Sequence, residues 1–301
     1  MANNRKYKVS KMSEKIYDQI NNRVIELLEK GVAPWRQAWK TNAIKPAVNL
    51  ISGRQYSGCN FFLVNCQGYA SPYWATFKQF QSKGATVKKG EKGTPIIFYK
   101  PLAIKEKQEN GDIKDKTIPL IRLSYVFNVE QVEGIEIKKD EQNLTPCNPI
   151  ETCQNLISKF PLGMPEIRHN NSRAYYNFNL DYINLPSMNL YSKSEEYYQT
   201  YFHEIIHSTG HEKRLNRGLN QIHCFGDENY SNEELIAELG ASYLSAFAGI
   251  DNAIIENSAS YLSNWLRILR KDNKFLLKAS AKAQQAVDYL IGKQQESAQE
   301  E

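Results

Sequence analysis

Three of the chain's five histidines fall in one short stretch, YFHEIIHSTGH (201–211), with a glutamate directly after the first of them. Four residues advance a helix by about 40°, so His203 and His207 are expected to turn both imidazoles toward one ion, at the roughly 2.0–2.1 Å typical of zinc. Glu204 is rotated by about 100° from His203, a poor direction for a ligand but a good one for hydrogen-bonding a water held at the ion. That is the division of labour of metal-dependent hydrolysis. The ion makes the water acidic and polarises a scissile carbonyl, while the carboxylate takes the proton and passes it to the leaving amine. With five histidines in 301 residues, an HExxH is expected by chance on the order of 0.005 times. The plainer alternative is a pair of core histidines satisfied by hydrogen bonds.

His211 is a poor third ligand. It lies about 12 Å along the axis from His203, with Gly210 between, and could serve only if the chain turned back sharply. A better source is NEELIAELGASYL (232–244), where Glu234 and Glu238 are four residues apart on one helical face. One carboxylate from that helix would complete a His2Glu set with one position open for water, the arrangement of catalytic sites. Glu234 is the favoured ligand, with Glu238 accepting from the other nitrogen of a ligand histidine; the reverse assignment stays open. The alternative, a solvated acidic face, sits poorly with the Leu, Ile, Ala and Gly around the pair. Zinc is the expected cofactor, although this donor set accepts other divalent ions. Proximity alone offers Tyr198, Tyr230, His211 and His223 as groups to stabilise an oxyanion.

The elements that must position these residues are legible in outline. Ser192 and Glu195 have capping-box spacing and Gly210 sits where a helix often stops, which predicts a helix between them. Further helices are expected at 150–160, 232–248, 256–270 and 272–292, with a strand pair around 175–184. Upstream, Ile16, Ile20, Val24, Leu27 and Leu28 mark an amphipathic helix over 11–31, closed by Gly31. From Trp35 to Phe127 the chain turns β-rich, with strands expected at 94–100 and 122–130 and an exposed charged hairpin around Lys105 to Lys116. The polar stretch IEIKKDEQNLTPCNP after Gly134 is expected to link two domains. The fold class is therefore α+β in two domains, a β-rich α+β domain over 1–140 and a mainly helical domain with a small sheet over 141–301, each burying its own core.

Charge divides the chain the same way. Residues 1–100 carry 17 Lys and Arg against 5 Asp and Glu, a net of +12, while residues 101–301 carry 21 against 28, or −7. The first surplus points to a polyanion, because cations that neutralise phosphates release condensed counterions. Lys83, Lys88, Lys89 and Lys92 cluster in a glycine-rich loop, and Arg36, Lys40 and Arg54 lie near Trp35, Trp39, Tyr56 and Trp74. Cations interleaved with rings suit single-stranded nucleic acid, whose bases stack on aromatic faces. Arg36, Arg54, Tyr56, Trp74, Lys88, Lys89 and Lys92 are the expected contacts. The plainer alternative for each is a core ring or a solvated lysine. No run of 18 uncharged apolar residues occurs, the start MANNRKYKVS lacks an apolar stretch, and the five cysteines show no CxxC. These features predict a cytoplasmic protein with reduced thiols and no membrane partner.

Taken together, GVAPWRQAW (31–39), SGRQYSGCN (52–60), YWATFKQ (73–79), GATVKKGEKGTP (84–95), YVFNVEQVEG (125–134), DYINLP (181–186), HEIIHSTGHEKRLNR (203–217), EELIAELGASYL (233–244) and SASYLSNWLRIL (258–269) resemble the ArdC family of plasmid antirestriction proteins. The N-terminal region of that family is similar to that of TraC conjugative primases. The resemblance implies a single-stranded-DNA-binding domain joined to a zincin-like metallopeptidase domain that protects incoming plasmid DNA, with a host nuclease as one conceivable protein substrate. It places His203 and His207 on the metal, Glu204 in catalysis and one EELIAE carboxylate as third ligand. It also marks DYINLP as the edge strand beside the active-site helix, able to receive a peptide by strand addition. The competing function is a non-catalytic DNA-shielding protein whose metal serves folding.

Overall fold

The computed structural model describes residues 2–30, 46–65, 67–107, 113–135, 149–219, 228–250 and 259–293. Trp35, Arg36, Trp39, Lys40 and His223 lie outside the described residues, as does the expected linker beyond Ile135.

Helix α1 (Ala2–Glu29) begins earlier than the apolar pattern required. Ile16, Ile20, Val24 and Leu28 form its buried stripe, one residue per turn. Short elements follow: β1 (Val48–Asn49), α2 (Cys59–Asn65), β2 (Tyr73–Thr76), α3 (Phe77–Ser82) and β3 (Thr86–Val87). Then come the long pair β4 (Thr94–Lys107) and β5 (Ile113–Asn128), and β6 (Val132–Glu133). One sheet has the order β1-β2-β5-β4, and β3 pairs with β6 in a second. The β4 and β5 ladder runs well past the expected strand ends, from Thr94 opposite Val126 to Lys107 opposite Ile113. In its outer part the register sets Lys105 opposite Asp115 and Glu106 opposite Lys114.

β4 is an edge strand, and α2 covers it at one point. The Asn60 amide donates to the Ile97 carbonyl and accepts from the Ile97 N–H, both at 2.7 Å. A side chain thus stands in for the missing neighbouring strand and blocks edge-to-edge pairing there.

The second half contains α4 (Pro149–Ile157), β7 (Glu166–Arg168), β8 (Tyr175–Asn177), β9 (Tyr182–Asn184), α5 (Ser194–Thr209), α6 (Glu228–Ala248), α7 (Ala259–Lys271) and α8 (Phe275–Leu290). Its sheet has the order β7-β9-β8. This corrects the expectation for DYINLP: β9 is the central strand, parallel to β7 and antiparallel to β8, so neither of its edges is open. The edge strand beside α5 is β8.

The α+β class and two-part layout are as expected, but the cores are not separate. One apolar cluster joins Ile20 and Val24 of α1, Phe61 and Phe62 of α2 and Ile97 of β4 to Phe202, Leu239, Tyr243 and Trp265 of the second half. The Tyr243 ring packs against Phe61 and Phe62 at centroid distances of 4.7 and 4.9 Å. Its hydroxyl donates to the Gly58 carbonyl at 2.6 Å. Asn21 of α1 donates to the Leu269 carbonyl on α7 at 2.7 Å. Apolar faces of α1 and α2 thus pack across the chain's midpoint as well as within the first half, which local periodicity does not reveal.

Candidate metal centre

α5 does not start with the expected reciprocal box. Lys193 occupies the cap without a side-chain bond, and the Ser192 N–H donates to Glu196 at 3.0 Å, one residue beyond Glu195. Its end behaves as Gly210 suggested, since the Gly210 N–H closes on the His207 carbonyl at 2.9 Å. The chain then folds back, with the Leu215 N–H donating to Thr209 and the Arg217 N–H to Gly210, each at 2.9 Å. α6 lies against α5 at a glycine: a Cβ on Gly240 would come within 2.7 Å of two Ile206 carbons. That close approach brings the carboxylates of α6 to the histidines of α5.

His203 Nε2 and His207 Nε2 face each other at 3.1 Å. Glu234 spans both, one oxygen 3.5 Å from His203 Nε2 and the other 3.6 Å from His207 Nε2. One donor atom from each of the three residues falls within 4.8 Å of the others. Glu238 stands on the opposite edge of the His203 ring, 3.9 Å from Nδ1, and is no part of that focus. At 3.9 Å it makes no direct hydrogen bond, and among the described residues His203 Nδ1 is without a hydrogen-bond partner.

The donor chemistry fits a divalent cation. Two imidazole nitrogens and a carboxylate converge with no cation among the described side chains at their centre. Burial by itself would lower His203, but the Glu234 hydrogen bond and the charges of Glu234, Glu204 and Glu238 overcome it and raise the ring to about 9. Burial would raise Glu234, yet His203, His207 and Tyr230 together bring it down to about 2. The cluster thus attracts positive charge strongly, and a metal ion would supply it without holding protons on the rings.

Glu204 is only 7% exposed, and burial pushes its carboxyl up. The Tyr176 backbone of β8 works against that rise.

Two residues escaped the sequence reading. Glu233, directly before Glu234, lies 3.2 Å from His207 Nδ1. Arg217 grips Glu233 through Nη2 at 2.5 Å and Nε at 3.0 Å, and also donates to the Thr209 hydroxyl at 2.6 Å and the Ile206 carbonyl at 2.8 Å. Glu233 therefore receives the Nδ1 proton of His207 and leaves Nε2 free to face the focus. Its carboxyl is held down by Arg217 and His207 against the upward push of burial. The signal was present in HEKRLNR and EELIAE, but spacing along a helix says nothing of a loop arginine that folds back.

Of the four oxyanion candidates, Tyr230 bears on Glu234 by a hydrogen bond that helps hold that carboxyl down. Tyr198 is core, packed on Tyr197 and Phe202. His211 is buried against Phe178 and accepts from the Lys213 N–H. An unanticipated tyrosine, Tyr191, is raised mainly by burial and feels the charge of Glu204. Arg214 clamps the β8–β9 turn to the end of α5: it pairs with Asp181, donates to Tyr176 Oη at 3.0 Å and to the Ser208 carbonyl at 2.7 Å.

In the basic half, Arg54, Lys88, Lys89 and Lys92 are exposed and Tyr56 is half-buried. Trp74 is corrected. It is 2% exposed, in a cluster with Ala47, Val64, Ile96 and Val126, because β2 directs its side chain into the sheet's packed face. A ring so enclosed offers no face to a base. Among the described residues, no helix is long and apolar enough to cross a membrane.

Two family profiles match the chain. One, described as the N-terminal domain of anti-restriction factor ArdC, covers residues 14–127. The other, a zincin-like metallopeptidase, covers residues 159–282. A DNA primase TraC of Escherichia coli is 32% identical across 97% of this chain, and a second TraC primase of that species is 31% identical across 94%. The chain spans only 28% and 20% of those primases. The uncharacterized protein y4eC of Sinorhizobium fredii is 30% identical across 95% of this chain and 94% of its own. Among solved structures, the metal-free antirestriction protein ArdC from plasmid R388 superposes with a TM-score of 0.71 at 31% identity, covering 91% of this chain and 95% of that one. Its Mn(II)-bound form gives 0.70 at 30% identity, covering 92% and 97%.

Proposed function

Because the chain belongs to the ArdC family of antirestriction proteins, we propose that it protects transferred plasmid DNA, binding single strands through residues 1–140 and hydrolysing a protein through residues 141–301. The observation that carries the catalytic half is the convergence of His203 Nε2, His207 Nε2 and Glu234 on one point beside buried Glu204. Those three residues would hold the ion, zinc first by donor type, with manganese a real alternative given the Mn(II)-bound relative. When bound, the ion supplies Lewis acidity toward a carbonyl and acidifies a water.

The chain's own residues do the rest. Glu204, whose affinity for protons burial increases, takes a proton from the water and returns it to the leaving amine. Glu233, fixed by Arg217, keeps the His207 ring oriented. The open side of β8 receives the substrate as an added strand. A host nuclease is a suitable substrate class for a protein acting beside incoming DNA.

Glu204→Gln tests this in the full chain, since α1 and α2 share their core with the second half. Metal content and binding of single strands should persist, while hydrolysis of an unfolded protein substrate should fall by about 10²–10⁴-fold. If the variant protects transferred DNA in cells as well as the parent, protection does not run through catalysis, and the site serves shielding or folding instead.

A further inference from the structure

With Trp74 buried, the basic half needs another ring if bases are to stack on it. Between residues 46 and 92 the chain has six cations (Arg54, Lys78, Lys83, Lys88, Lys89, Lys92) and one acid (Glu91), a net of +5. Among the described residues of that stretch Phe77 is the one exposed aromatic ring, at 50%; Phe61, Phe62, Trp74 and Phe80 are buried, and Tyr56, Tyr69 and Tyr73 are half-buried. Half of the Phe77 ring is left to solvent, and it stands directly before Lys78.

A second apolar residue lies in the neighbouring turn. Ile51 is 41% exposed, and its turn is pinned to α3. Asn49 accepts from the N–H groups of Ile51 and Ser52 at 3.0 Å each, and donates to Gln79 at 3.1 Å. Gln79 in turn accepts from the Thr76 N–H at 2.9 Å and so closes the α3 capping box. The turn carrying Ile51 and Arg54 and the helix carrying Phe77 and Lys78 are thus tied to each other through Asn49 and Gln79.

We infer that Phe77 is a base-stacking platform for single-stranded nucleic acid, with Ile51 extending its apolar surface and Arg54 and Lys78 bearing on the flanking phosphates. The inference rests on the single-strand binding proposed above and names the site that performs it. A flat ring beside cations suits a strand whose bases are unpaired, because every base has a face to stack and the phosphates meet the charge whatever the sequence. A protein partner is the other possible occupant of an exposed apolar patch, but a net of +5 on 47 residues favours a polyanion.

The test is fluorescence anisotropy of the full chain with a labelled oligothymidylate of about 20 nucleotides, read across a salt series. Phe77→Ala should lower affinity about 5- to 150-fold without changing the slope of log K against log salt, and Phe77→Trp should retain binding. Lys78→Ala and Arg54→Ala should each reduce that slope by about 0.7. Phe98→Ala removes an equally exposed ring from β4, 52% exposed, and should leave binding unchanged. If the parent binds and Phe77→Ala binds within about twofold of it, the platform is wrong while single-strand binding stands. If the parent shows no salt-dependent binding at all, the DNA reading falls and the platform with it.

Discussion

Glu233 lies 3.2 Å from His207 Nδ1, on the edge of the ring opposite the point that His203, His207 and Glu234 share. The carboxylate is itself held by Arg217, which reaches back from the loop after α5. One loop residue thus sets the orientation of a ring on the helix that precedes it.

Removing that support should show in metal affinity. Glu233→Gln keeps the shape but weakens the acceptor, and should weaken binding of zinc or manganese by about 10- to 100-fold in a calorimetric titration. Arg217→Ala takes the cationic partner from buried Glu233 and should cost about 3–5 kcal/mol in denaturant unfolding. Unchanged affinity in Glu233→Gln would show that His207 needs no such partner.

The contact between α5 and α6 is tuned by the absence of a side chain at Gly240. Gly240→Ala would press a methyl onto Ile206 and should cost about 1–3 kcal/mol, with a matching loss of metal affinity because the two helices carry opposite halves of the site. Adding Ile206→Val should recover part of both losses. Full stability in Gly240→Ala would mean the helices separate freely.

Metal binding should stabilise the fold by mass action. At about 100 times its dissociation constant an ion adds about 2.7 kcal/mol, so zinc or manganese should raise the melting temperature of chelator-treated protein. His203→Ala and Glu234→Ala should abolish that rise, whereas Glu238→Gln should keep most of it. A rise lost equally in Glu238→Gln would return Glu238 to the ligand set.

Asp181 makes one part of the fold acid-sensitive. Burial pushes its carboxyl up, but hydrogen bonds from Arg214 and Tyr176 and the charge of Arg214 outweigh this, so the folded value lies below the usual carboxylate range. The clamp's contribution is therefore complete above about pH 4 and is lost as pH falls through the lower folded value. Asp181→Asn should be less stable than the parent at neutral pH, and the gap measured in urea should close on acidification. A gap that stays constant with pH would exclude this linkage.

Much of this protein is written in local pattern. The four-residue repeat of Ile16, Ile20, Val24 and Leu28 specifies a buried helical stripe, and HEIIH specifies two imidazoles on one face of another, because helix geometry repeats within a few residues. The charge division at residue 100 needs no fold at all. Tertiary structure decided what depends on encounters between distant segments. It chose Glu234 over Glu238 for the shared focus, since one turn of α6 separates a carboxylate facing both Nε2 atoms from one facing His203 Nδ1. It put DYINLP in the middle of its sheet, buried Trp74, left Phe77 exposed three residues later, and brought Arg217 back to Glu233. Each outcome is set by which surface a side chain meets when the chain closes on itself, a free energy that belongs to pairs of segments and is carried by neither segment alone.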